Sequence, residues 1–189
     1  MVPRVDALWT RAVQNADGVY HGVSLIKNPL PNARGDSISY VMSLYDAQNI
    51  LVAERRGTLS LDPGESRVVF EPNIIVGERT PVRALLKVDG GTFTRADPTA
   101  RPVKVVVGAV DEKAQTLTAT LENTTAAPIT NVVADALLFD REGEVVTASE
   151  TALPVLPAHT RREVVFTWSK AFLRPITTSD VIVRIDAGL

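Results

Sequence analysis

The sequence predicts an all-β chain built as two tandem β-sandwich domains related by internal duplication. Three observations carry that prediction. Short runs of alternating apolar and polar residues are broken by turn signals every 8–12 residues or so, the spacing of a sandwich. No segment of the first half holds a helical apolar period over three turns. Landmark residues also recur at a nearly constant offset: Asn28 to Asn123 is 95, Asp46 to Asp140 is 94, Phe70 to Phe166 is 96 and Asp89 to Asp186 is 97. With two copies the repeat is a tandem pair and not a solenoid.

Composition agrees with a folded β protein. The 189 residues are 45% hydrophobic and 22% charged, which suits a packed core rather than a disordered chain. The net charge of -2 and the scattered Lys and Arg give no basic face for nucleic acid or an anionic membrane. The densest groups, Glu54-Arg55-Arg56 and Arg161-Arg162-Glu163, each carry their own acid. There is no cysteine, which excludes disulfides, thiol catalysis and Cys-based zinc sites. Apolar runs such as Val105-Val106-Val107 are too short to span a bilayer as a helix. Asp6 follows Met1 too soon for a signal peptide, and the abrupt start predicts that this is part of a longer protein.

Taken in order, Pro3 to Val13 reads as a strand, and Asn15-Ala16-Asp17-Gly18 as a turn. Val19 to Lys27 alternates well. Asn28 to Asp36 reads as a loop, because two prolines in three residues do not fit a ladder. Ile38, Tyr40, Met42 and Leu44 line one strand face, Asp46-Ala47-Gln48-Asn49 turns the chain, and Ile50 to Ala53 returns it. Leu59-Ser60-Leu61 is closed by Asp62-Pro63-Gly64-Glu65. Val68-Val69-Phe70 follows, then a loop from Pro72 to Pro81, then Val82 to Val88.

Asp89 to Pro102 breaks the pattern with Gly90, Gly91, Pro98 and Pro102. The expected division is a first domain over 1–92, a linker over 93–102 and a second domain over 103–189, with Phe93 able to pack on the first. The series then restarts. Val103 to Val110 is a strand, and Leu117, Ala119 and Leu121 alternate with Thr116, Thr118 and Thr120. Val132, Ala134, Ala136 and Leu138 form an inward face, Asp140-Arg141-Glu142-Gly143 a turn with Gly143 left-handed, and Leu153 to Pro157 another turn. Val164-Val165-Phe166 and Val181 to Ile185 complete the set. Aligning the copies pairs Met42 with Ala136 and Tyr45 with Phe139, so the two cores are expected to pack differently.

Met42-Ser43-Leu44-Tyr45-Asp46 resembles the FxLYD motif with Met at the Phe position, and Ala136-Leu137-Leu138-Phe139-Asp140 is a more degenerate copy. The runs Asp17-Gly18-Val19-Tyr20, Asn28 to Ala33 and Leu44 to Arg55 resemble uncharacterised bacterial membrane-anchored proteins. FxLYD domains are small immunoglobulin-like sandwiches of extracytoplasmic proteins, often behind one membrane anchor. The resemblance implies that location here and supplies no catalytic residues.

Few side chains invite chemistry. His21 and His159 fall in different copies, as surface or edge histidines, and a metal site or triad would have to bridge the domains. Asp46 and Asp140 end matched strands, where a carboxylate holds a turn; neither loop has the alternating acids of a calcium site. Arg34-Gly35-Asp36-Ser37 spells an adhesion tripeptide in an expected exposed loop, and Asn123-Thr124-Thr125 a glycosylation acceptor; both are short enough to arise by chance. Trp9 and Trp168 are expected to pack in a core or between domains, with stacking on a sugar as the alternative. No catalytic, metal or cofactor-binding residue is assigned, and no cofactor is expected. The expected function is a non-enzymatic structural or protein-interaction module, acting on another protein or a cell-envelope component through a sandwich face or free edge strand. The alternative is a glycan- or other ligand-binding module.

Overall fold

The computed structural model describes residues 5–98 and 102–186. Parts of the expected boundaries (Met1 to Arg4 with the strand start at Pro3, linker residues 99–101, and the last residues 187–189) lie outside the described residues. Every element within them is a β-strand. The chain forms two compact units, Met1–Ala100 and Arg101–Leu189.

Unit 1 contains β1 (Asp6–Ala16), β2 (Val19–Lys27), β3 (Ala33–Tyr45), β4 (Leu51–Leu61), β5 (Ser66–Ile75), β6 (Arg83–Asp89) and β7 (Thr92–Arg95). Unit 2 contains β8 (Val103–Asp111), β9 (Thr116–Asn123), β10 (Ile129–Phe139), β11 (Val145–Leu156), β12 (Arg161–Thr167) and β13 (Thr178–Ile185). One sheet of unit 1 has the order β1-β2-β5 and the other β4-β3-β6, with β7 also on β3. Unit 2 repeats this as β8-β9-β12 and β11-β10-β13. All pairings are antiparallel, and each unit is an immunoglobulin-like sandwich.

Period-two patterning builds both cores. In β9, Leu117, Ala119 and Leu121 are buried and the threonines between them are half-buried. Unit 1 gathers Ile26, Ile38, Met42, Leu44, Leu61 and Ile74 into one cluster; unit 2 gathers Leu117, Leu121, Ala136, Leu138, Leu156 and Phe166. The expected difference in packing has a definite form. Met42 lies over Gly22, where a Cβ would fall 3.0 Å from Met42 Cγ. In unit 2 the repeat places Leu117 at the position of Gly22 and Ala136 at that of Met42, so the large and small residues trade sheets.

Three expectations are corrected. Thr92–Arg95, placed in the linker or next to it, is β7, so unit 1 extends beyond residue 92 and the linker starts later. Gly90 and Gly91, at φ 69° and 90°, mark no domain end. They carry one strand past a kink opposite Ser37 (φ 54°), after which pairing with β3 resumes in unchanged register at Asp36↔Thr92. Second, Ala33 to Asp36 are strand residues rather than loop. Third, Pro72, expected to open a loop, and Pro154, expected in a turn, lie inside β5 and β11. Both strands are sheet edges, where a missing N–H need not cost a ladder bond.

Candidate functional site

The polar residues singled out in the sequence are turn and loop staples. Asp46 Oδ1 accepts the amides of Gln48 and Ile50 at 3.0 and 2.8 Å, and its Oδ2 pairs with Arg79. Asp140 does the same with Glu142 and Glu144, at 3.1 and 2.9 Å, and pairs with Arg174. The Ile50 amide, helped by Arg79 and Gln48 and opposed by burial, holds the Asp46 carboxyl below its ordinary range. Asn28 and Asn123 are fully buried. Asn28 donates to the carbonyls of Ala33 and Asp62 and accepts from the Leu30 amide. Asn123 donates to Ala127 and Leu156 and accepts from Thr125. Such a side chain has no amide free to carry a glycan in the folded state.

Arg79 and Arg174 escaped the sequence reading. Their separation equals that between Asn28 and Asn123, so the repeat itself was the signal that could have found them.

The adhesion-like tripeptide is also absorbed by the fold. Arg34 is tied to Asp36 at 2.9 Å and to Asp62. A Cβ at Gly35 would lie 2.8 Å from the Phe93 ring, so this glycine lets β7 close over β3. His21, expected at the surface or an edge, is buried; its Nδ1 accepts the Asn73 amide at 3.1 Å, and burial lowers its basicity. The amide comes free because Asn73, at φ 52°, sits where the β2–β5 register shifts. His159 occupies a turn at φ 52° in the other unit. No group of three or more His, Asp or Glu among the described residues is placed to hold a metal.

The two tryptophans differ. Trp168 is buried, donates Nε1–H to the Ala148 carbonyl at 3.2 Å and meets Phe172 edge-on at 5.5 Å. Trp9 is half-buried and lines an open groove of about 480 Å³ between β1 and β6. Ala7, Thr10, Arg11 and Ala12 complete one wall; Val82, Arg83, Ala84, Leu85 and Leu86 form the other. Leu8, Val82 and Leu85 beside it are exposed at 53, 65 and 47%. Both strands end their sheets, and they run close beside each other here without a ladder between them. Arg83 bonds Asn49 Oδ1 and stands 4.8 Å over the Tyr45 ring. The groove thus combines small apolar residues, the margins of two strands and one tryptophan.

One polar cluster belongs to unit 2 alone. Asp135, on the middle strand of β11-β10-β13, is buried and pairs with Arg184, which also bonds Glu150 at 2.7 Å and lies 3.3 Å from Asp186. Its Oδ1 has no hydrogen-bond partner among the described residues. Burial pushes its carboxyl up to about 7, against the pull of Arg184. In unit 1 the repeat puts Val41 at this position.

The fold therefore defines a tandem of immunoglobulin-like β-sandwiches. No protein family and no curated protein matches the chain. Among solved structures, red sea bream transglutaminase is similar over 97% of this chain and 29% of that one, at 15% identity and a TM-score of 0.28. The chain thus spans well under half of that protein's length.

Proposed function

We propose that the chain is a non-enzymatic interaction module, the extracytoplasmic part of a membrane-anchored or surface protein, and that it acts by binding another protein. The exposed apolar residues Leu8, Val82 and Leu85 beside the β1–β6 groove carry this reading. Apolar side chains clustered on an open surface are a liability in a protein that binds nothing, and an asset in one that docks a partner. The likeness of Met42–Asp46 to the FxLYD motif supports the extracytoplasmic location.

A photo-crosslinking residue placed in turn at Leu85, at Ile75 and at Val165 tests the reading in cells that make the whole protein. A discrete adduct with another protein from any of these positions supports it; none from all three overturns it. Protease treatment of intact cells tests location, with cleavage expected for an exposed module. Glycan binding, the second reading, is favoured by Trp9 alone. Glycan-array signal that Trp9→Ala abolishes would put it first.

A further inference from the structure

We propose that Asp135 of β10 and Glu150 of β11 share one proton, and that its loss releases Glu150 from the sheet as a pH-sensitive switch within unit 2. The two residues are direct cross-strand partners. Val132, Ala134, Ala136 and Leu138 of β10 point into the core, so Asp135 and its partner lie on the other face of the sheet. Arg184, from β13 on the far side of β10, bonds Asp135 Oδ2 with one amino group and Glu150 Oε2 with the other, the latter at 2.7 Å. One guanidinium therefore serves two carboxyls. With both ionised, the buried cluster would hold a negative charge that nothing balances, which is costly away from water. Asp135 Oδ1 has no donor among the described residues, yet the two carboxyls are within hydrogen-bonding reach of each other. Two carboxylates offer only acceptors, so they bond only when one keeps its proton. A shared proton satisfies Oδ1 and leaves the pair a single negative charge, which Arg184 neutralises.

The neighbouring positions on this face add no cation. Beside Asp135, β10 presents Val133 and Leu137, β11 presents Ala148 and Ala152, and β13 presents Ile182, with Asp180 opposite Leu137. Asp186, just past β13, lies 3.3 Å from Arg184 Nε and draws on the same guanidinium. Burial, joined by the Glu150 charge and opposed by Arg184, raises the Asp135 carboxyl to about 7. As pH rises through that point the proton passes to water, the O–H···O bond breaks, and two anions are left side by side. Asp135 sits on the middle strand with its side chain 2% exposed and has no path to solvent. Glu150 sits on the edge strand at 32% exposure, so it is the side chain that turns out into water. Unit 1 has no counterpart, because Val41 faces Arg56 at the matching pair.

The test is a carboxyl carbon-13 NMR titration of the labelled 189-residue chain. The Asp135 and Glu150 signals should move together through one step near 7, as coupled groups do. Glu150→Gln puts a fixed N–H in the proton's place, so Asp135 should then titrate at least about one pH unit lower. Above the wild-type step, the three-bond couplings of Glu150 should pass from those of one rotamer to averaged values. An Asp135 midpoint in the ordinary carboxylate range, an unchanged midpoint in Glu150→Gln, or a Glu150 signal blind to the Asp135 step would overturn the shared proton. An unchanged Glu150 rotamer across the step would overturn the release. Should Glu150→Gln fail to fold, the joint or separate movement of the two wild-type signals decides.

Discussion

Asn123→Asp replaces one NH2 group by an oxygen at a fully buried staple. Asn123 donates Nδ2–H to Ala127 O at 2.8 Å and to Leu156 O at 3.0 Å, joining β9 to the following loop and to the end of β11. An Asp keeps the shape and still accepts from Thr125, but both donors vanish and an oxygen faces two carbonyl oxygens. Losing each bond costs about 1 kcal/mol, and leaving a buried acceptor orphaned adds roughly 1–3 kcal/mol. A loss of about 3–5 kcal/mol at neutral pH is therefore expected, a large part of the stability of a domain that holds only about 5–15 kcal/mol. The repeat supplies the assay. One tryptophan lies in each unit, so in a Trp9→Phe background the fluorescence of Trp168 reports unit 2 alone. With a urea slope of about 1–3 kcal/mol per molar, the unfolding midpoint should fall by roughly 2 M. The deficit should shrink in acid, where a protonated Asp regains one donor. A midpoint within about 0.5 M of the parent at pH 7, with the slope unchanged, would refute the staple argument.

Three further outcomes are expected. Met42→Ala should destabilise unit 1 by about 2–5 kcal/mol through the cavity over Gly22, and Gly22→Ala in the same chain should recover part of that, giving a non-additive thermal-melt cycle. The folded-state proton affinity of Asp135, raised to about 7 from 3.8, means that its contribution to stability is full below pH 3.8 and lost as pH rises through about 7. Urea midpoints of wild type relative to Asp135→Asn should therefore decline across that window, and a flat difference would remove the burial argument. Gly143→Ala, at φ 77°, should cost unit 2 about 1 kcal/mol in the same fluorescence assay, and a neutral result would mean that the turn relaxes.

Much of the architecture is written in two local signals. Period-two alternation places Leu117, Ala119 and Leu121 inward without reference to anything outside their own strand. Because the pattern repeats, it also pairs Asp46 with Asp140 and Asn28 with Asn123. The Asp match marked the turn staples; the arginines that complete them and the stapling role of the two buried asparagines came only from the fold.

What the linear chain misassigned has a common cause. Gly90 and Gly91 read as a linker, Pro72 as a loop and Pro154 as part of a turn, because these residues occur in several backbone settings and the surrounding sheet selects one. A glycine pair opposite Ser37 continues a strand, and a proline on a sheet edge sacrifices no ladder bond. The hydrogen-bond partner of buried His21 likewise comes from elsewhere in the fold, the Asn73 amide at a register shift between β2 and β5. The groove was invisible for the same reason. Trp9 and Arg83 are far apart in sequence, and only the meeting of β1 with β6 sets the tryptophan beside Val82, Arg83 and Leu85. By itself the sequence determined that this protein is two sandwiches and where their inward faces lie, since side-chain periodicity is a local property. Only the tertiary structure decided which strands end the sheets and which charges meet across them, because those contacts join residues far apart in the chain.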